Sequence, residues 1–148
     1  MKIAIGCDHG GYVLKPAIKD LLASRNIEVV DCGCEGESVD YPDYALKVAE
    51  LVSQGKVDKG IVLCGTGIGI SIAANKVKGV RAAVCHDEFT AQMCSEHNNA
   101  NIIALGGRVL SVEQAVKMVA IWLDTPFAGG RHEGRVNKIM EIENKYFK

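Results

Sequence analysis

Gly60–Ala74 reads GIVLCGTGIGISIAA, and the fold turns on how this stretch is parsed. Ile61-Val62-Leu63 is a short apolar run of the kind a buried parallel strand presents. Cys64-Gly65-Thr66-Gly67-Ile68-Gly69 is a glycine-rich turn, and Ile70 to Ala74 restarts as a helix. A strand, a glycine loop and a helix N-terminus together make an anion site. The loop amides and the first helical N–H groups lack intrahelical acceptors and aim at one spot, where the helix dipole favours negative charge. Cys64 stands at the strand tip facing that spot, and the same field favours a thiolate there. One loop thus offers a base or nucleophile together with a cradle for an oxyanion. The motif is not sufficient alone. GxGxG falls short of the dinucleotide fingerprint, and no GK[ST] follows as in a Walker A loop. A tight βα turn with Cys64 as a small buried hydrophobe accounts for the same letters.

On either side, apolar runs alternate with helical patterns. Lys2–Cys7 reads as strand one, followed by the turn Asp8-His9-Gly10-Gly11. Leu14, Ile18, Leu21 and Leu22 mark a helix that admits Pro16 only in its first turn. Ile27–Asp31 is strand two, and Cys32–Asp40 is a polar loop. Pro42 opens a helix with Ala45, Val48, Ala49 and Val52 on one face, closed at Gln54-Gly55. After the central loop, Val80–Val84 is strand four, and Asp87 caps a helix to about His97. Asn101–Leu105 is strand five, and Ser111 and Gln114 have capping-box spacing before a stripe of Val112, Ala115, Val116, Val119 and Leu123. A last helix runs from about His132 to Tyr146. This pattern predicts a single α/β domain over residues 1–148: an open five-stranded parallel sheet with helices on both faces and a C-terminal helix. If the strand order is the flavodoxin-like 2-1-3-4-5, the switch point lies between strands one and three, and Asp8-His9 faces the Cys64 loop.

Composition narrows the function. The chain has 148 residues, 48% of them hydrophobic, and a net charge of −1. Near-neutrality argues against nucleic acid as a bulk electrostatic partner. The first apolar run is too short for a signal peptide, and no segment approaches the roughly 20 apolar residues of a membrane span, so a cytoplasmic protein is expected. Six cysteines, at 7, 32, 34, 64, 85 and 94, show no CxxC pair. Neither a disulfide framework nor a zinc knuckle is expected, and Cys7 and Cys85 read as buried hydrophobes. No cluster of His and carboxylates suggests a metal, and His86 reads as structural.

The polar residues suggest a sugar-phosphate crevice. Asp8-His9 at a strand tip can bind hydroxyls or phosphate, or cap the next helix. Tyr41 and Asp43 are loop anchors or site walls. His97-Asn98-Asn99 reads within one chain as a helix C-cap. Arg131 and Arg135 are four apart at the start of the last helix, where they repel by roughly 0.2–0.5 kcal/mol and oppose the positive helix terminus. A bound anion would offset both costs. Arg108, after a double glycine, is a third candidate clamp.

GCDHGG at 6–11, DYPDYA at 40–45, CGTGIGISIAANK at 64–76, HNNANI at 97–102, GGR at 106–108 and GGRHEGRV at 129–136 lie in order over nearly the whole chain. Together they resemble the type B ribose-5-phosphate isomerase family, which also includes galactose-6-phosphate isomerase subunits. The resemblance implies interconversion of ribose 5-phosphate and ribulose 5-phosphate through an enediol, without metal or cofactor. It implies that Cys64 is the base and that Thr66 with the amides of Gly65, Gly67, Ile68 and Gly69 holds the enediolate oxygen. His97 would open the furanose, Asp8 and Asn98 would order hydroxyls, and His9, Arg131 and Arg135 would hold the phosphate with Arg108 nearby. It further implies a homodimer, or a tetramer, with the site at a subunit interface, so that His97 and Arg108 serve the partner's Cys64. One branch of the family has a glutamate at the position of Ile70; with Cys64 present, this chain resembles the cysteine branch. Allose 6-phosphate or galactose 6-phosphate is the alternative substrate. A phosphate-binding module and a thiol redox protein are the alternatives of other classes.

Overall fold

β1 (Lys2–Cys7), β2 (Glu28–Asp31), β3 (Lys59–Cys64), β4 (Ala82–Val84) and β5 (Ile102–Gly106) form one parallel sheet. The order is β2-β1-β3-β5-β4, in a computed structural model that describes residues 1–148. The helices are α1 (Lys15–Ser24, entered by a 3-10 turn at Tyr12–Leu14), α2 (Tyr41–Ser53), α3 (Ile68–Ala74), α4 (Glu88–Glu96), α5 (Val112–Asp124) and α6 (Arg131–Tyr146).

The punctuation in the sequence sets the helix starts. Pro16 and Pro42 occupy the first turns of α1 and α2, where the missing N–H has no acceptor to lose. Asp87 and Ser111 are N-caps with reciprocal bonds to Thr90 and Gln114. Each is worth about 1 kcal/mol.

The sheet divides the core in two. Ile3, Ile5, Cys7, Ile61, Leu63, Ile103 and Leu105 face α1, α4 and α5. Ala4, Val62, Cys64, Ile102 and Ala104 face α2 and α3. This is the period-2 alternation of strands buried on both sides. Connections that step one way along the sheet (β1 to β2, β4 to β5) carry their helices on the first face. Those that step the other way (β2 to β3, β3 to β4) carry theirs on the second. A single hand of crossover requires this.

The order differs from 2-1-3-4-5 in its last two strands. β5 is buried along its whole length, whereas β4 has three residues and none fully buried. Burial therefore puts Ile102-Ile103-Ala104-Leu105 inside and leaves Ala82–Val84 at the edge. The crevice between β1 and β3 is unaffected. Along α5 the buried line is Ala115, Met118, Val119 and Trp122. The Trp122 indole donates to Ala100 O at 3.2 Å. Val112, Val116 and Leu123 are only partly buried beside it. α6 buries only Val136 in its 16 residues.

Candidate active site at the C-terminal edge of the sheet

Three glycine turns meet where β1, β3 and β5 end. A Cβ on Gly10 would stand 2.9 Å from Gly65 N, so only glycine lets the two turns touch. The Gly107 and Arg108 amides donate to Cys64 O and Gly65 O, both at 2.9 Å. The approach of Asp8-His9 to the Cys64 loop is therefore built by backbone contact. Asp8 is 7% exposed, and its Oδ1 accepts from Gly10 N at 2.8 Å and Gly11 N at 3.0 Å. One carboxylate oxygen closes the turn, and the other makes no hydrogen bond within the chain.

Cys64 ends β3 with 4% exposure. Gly67, at φ +82° before α3, turns its amide onto Cys64 Sγ at 3.1 Å. The Ile68 amide donates to Thr66 Oγ1 at 3.2 Å. These two bonds correct the expectation that every loop amide is open to a ligand. Gly67 N–H serves the sulfur and Ile68 N–H serves Thr66, while those of Gly65, Thr66 and Gly69 have no partner in the chain. Thr66 accepts at its oxygen and keeps its own hydroxyl proton to donate.

A cleft of about 380 Å³ opens here, lined by Asp8, Cys64, Gly65, Thr66, Ile68, Gly69, Tyr41 and Arg108. Tyr41 begins α2, and its ring lies on Gly69, where a Cβ would meet the ring at 2.7 Å. Tyr41 is thus a wall of the site. Arg108 lies along Gly65 of its own chain, with Nη1 3.1 Å from a Cβ placed there. Within one chain it is a cation of the cleft that holds Cys64.

The other site residues stand elsewhere. His9 Nδ1 accepts from Val39 N at 3.3 Å, which ties the 32–40 loop to the first turn. That loop is also fastened by Lys15, which is buried and bonds Asp31 Oδ1 at 3.0 Å, Glu35 Oε1 at 3.2 Å and Cys34 O. Burial opposes the Lys15 charge, but the bonds to Asp31 and Glu35 outweigh it, and the ammonium is held above its ordinary range. His97 caps the C-terminus of α4, close to the start of β5. Strand register pairs Gly60 with Ile102 and Cys64 with Gly106. The start and end of β5 are therefore about 13 Å apart, with Asn98, Arg131 and Arg135 on the His97 side. Within one chain the structure brings together Cys64, Thr66, Asp8, Tyr41 and Arg108, and separates them from His97, Asn98, Arg131 and Arg135.

His132 lies between the two arginines, and no motif or spacing in the sequence singles it out. Its ring stacks on His97, with centroids 4.1 Å apart and planes at 12°. Cys7 and Cys85 match their reading as buried residues, and all six thiols are free. Burial, with Cys34 alongside, pushes Cys7 up to about 12, and a hydrogen bond with Cys94 together with burial pushes Cys85 up. No helix is long and apolar enough to cross a membrane.

The family model described as Ribose/Galactose Isomerase matches residues 3–139. Ribose-5-phosphate isomerase B of Escherichia coli is 49% identical over 145 residues, 97% of each chain. The structure of Clostridium thermocellum ribose-5-phosphate isomerase B superposes with a TM-score of 0.96 at 60% identity, covering 99% of both chains. Mycoplasma genitalium ribose-5-phosphate isomerase B, solved with bound ribulose-5-phosphate, superposes at 0.93 with 40% identity over 97% of both. A match over nearly the whole chain, in sequence and in fold, places this protein in the ribose/galactose isomerase family.

Proposed function

We propose that the protein is an aldose–ketose isomerase interconverting D-ribose 5-phosphate and D-ribulose 5-phosphate, acting as a cytoplasmic homodimer whose sites each draw on two copies of the chain. The observation that carries the chemistry is a thiol under a backbone amide at the floor of a cleft lined by Asp8, Thr66 and Arg108. His97 gives its proton to the furanose oxygen as the C1–O4 bond breaks, and the C1 hydroxyl becomes the carbonyl as its proton passes to solvent. Cys64 then takes the proton from C2 and returns it to C1, while the C2 hydroxyl proton passes to O1, so that C2 becomes the carbonyl and C1 the alcohol. The charge that develops on the carbonyl oxygen meets the Thr66 hydroxyl and the free amides of Gly65, Thr66 and Gly69, in the manner of an oxyanion hole. His9, Arg131 and Arg135 hold the phosphate, and Asn98 orders hydroxyls.

Two features support the two-chain site. Cys64 and His97 lie toward opposite ends of the sheet within one chain, too far apart to share a substrate. The surface also leaves apolar side chains uncovered in helical register: Ile68 and Ile72 on α3, and Ile139, Ile142 and Tyr146 on α6. A second copy covers such stripes and brings its His97 end to the cleft.

The test is turnover of ribose 5-phosphate in EDTA, beside allose 6-phosphate and galactose 6-phosphate. Turnover of the pentose phosphate is expected. Turnover of a hexose phosphate alone would keep the mechanism and change the substrate, and silence on all three would leave a phosphate-binding module.

A further inference from the structure

We propose that His132 is a positioning residue for His97, its ring lying flat against the His97 imidazole and fixing that ring for proton delivery to the sugar ring oxygen. The inference rests on the reading of His97 as the ring-opening acid, and extends it to a residue that touches His97 within the same chain.

His97 needs such a support. It follows the last helical residue of α4 and is exposed along one side, with its Nε2 3.4 Å from Glu96 Oε2. An imidazole at a helix end rotates readily about its side-chain bonds. A general acid delivers its proton only within hydrogen-bond reach and in line. The flat contact with His132 removes that freedom, because a ring held between a plate and a carboxylate keeps one plane and one edge.

The fold builds the contact deliberately. Ala128 N–H donates to Glu96 O at 3.0 Å, which ties the segment after α5 to the end of α4. Gly129 and Gly130 then turn at φ +66° and +55°, and α6 starts at Arg131. His132 in its first turn is thereby set over His97. No other pair of aromatic rings in the chain stacks.

Charge assigns the two rings different parts. Two imidazolium rings face to face would repel. The charged groups around the pair are Glu96 on α4, and Arg131 and Arg135 on α6. Partial burial, then His97, Arg131 and Arg135, hold the His132 imidazole below its ordinary range, against Glu96. His132 is thus suited to be the plate, and His97 keeps the Glu96 carboxylate at its edge.

The experiment compares His132→Ala, His132→Phe and His97→Asn in the full-length enzyme. Two readouts are used: turnover of ribose 5-phosphate, and solvent-deuterium exchange at C1 of ribulose 5-phosphate. Exchange needs the Cys64 proton transfer but no ring opening, since ribulose 5-phosphate is open-chain. His132→Ala should lower kcat for ribose 5-phosphate by about 10- to 100-fold, with exchange and the KM for ribulose 5-phosphate close to wild type. His132→Phe, which keeps a flat ring, should recover most of that loss. Unchanged turnover in His132→Ala beside a slow His97→Asn would overturn the positioning role alone. An equal loss in exchange, or no recovery with Phe, would also overturn it and assign His132 to holding α6 in place. A His97→Asn enzyme with normal turnover would remove the acid role of His97, and this inference with it.

Discussion

Gly67 N–H donates to Cys64 Sγ at 3.1 Å, so the residue that reverses the chain before α3 also solvates the sulfur. The φ of +82° makes that possible, and glycine adopts it without the cost a side chain brings. A hydrogen bond from an amide strengthens as the sulfur gains charge. The loop is therefore organised around its thiol first and an oxyanion second.

Replacement of Cys64 by Ala is expected to lower kcat for ribose 5-phosphate by about 1,000-fold or more, the scale of a lost general base. Ribulose 5-phosphate should still bind with near-wild-type affinity by calorimetry, because the polar cleft residues remain. Loss of binding together with turnover would give Cys64 a structural role.

Gly69→Ala places a methyl group 2.7 Å from the Tyr41 ring carbons. The ring must move, and with it the wall of the cleft. We expect a raised KM in Gly69→Ala and strong non-additivity with Tyr41→Ala, since the second change removes the clash. Additive effects in the double-mutant cycle would mean that the ring does not act through Gly69.

Mixing two inactive variants tests the shared site. Cys64→Ala and His97→Asn homodimers each lack a residue at both sites. A mixed dimer contains one site with neither change and one with both. Unfolding and refolding an equimolar mixture should restore about a quarter of wild-type activity, given statistical pairing of a twofold dimer. A mixture as inactive as its components would confine the site to one chain.

The Lys15–Asp31 pair sets an acid response. Burial opposes ionisation of Asp31, but Lys19, the Gly33 N–H and Lys15 outweigh it and hold the carboxyl below its ordinary value of 3.8. A group whose native value is depressed binds fewer protons folded than unfolded. Its stabilisation is present above the unfolded value and is lost as pH falls below about 4. Asp31→Asn should lose about 2–3 kcal/mol at neutral pH, less than a fully buried pair because Lys15 keeps Glu35 and Cys34 O. Its thermal stability should then fall less steeply than wild type below about pH 4. Parallel acid limbs would place the response in other carboxylates.

What the sequence determined by itself was local in origin. Apolar runs, prolines at helix starts, the capping pairs of Ser111 and Asp87, and glycine turns at strand ends act over a few residues, and they define the α/β sheet and its helices. The Cys64 loop was legible for the same reason, since its strand, turn and helix are contiguous. Only the tertiary structure decided the rest, because it depends on what lies across the sheet. The edge position of β4 follows from competition with the more apolar β5 for the interior. The use of Gly67 N–H by the sulfur, and of Ile68 N–H by Thr66, follows from how one loop closes. Arg108 lines the cleft of its own chain because the Gly106-Gly107 turn is bonded to Cys64 and Gly65. The stack of His132 on His97 joins residues 35 positions apart through the turn at Gly129-Gly130. No spacing rule reports such a contact, because its geometry is set by how α4 and α6 meet and not by either helix alone.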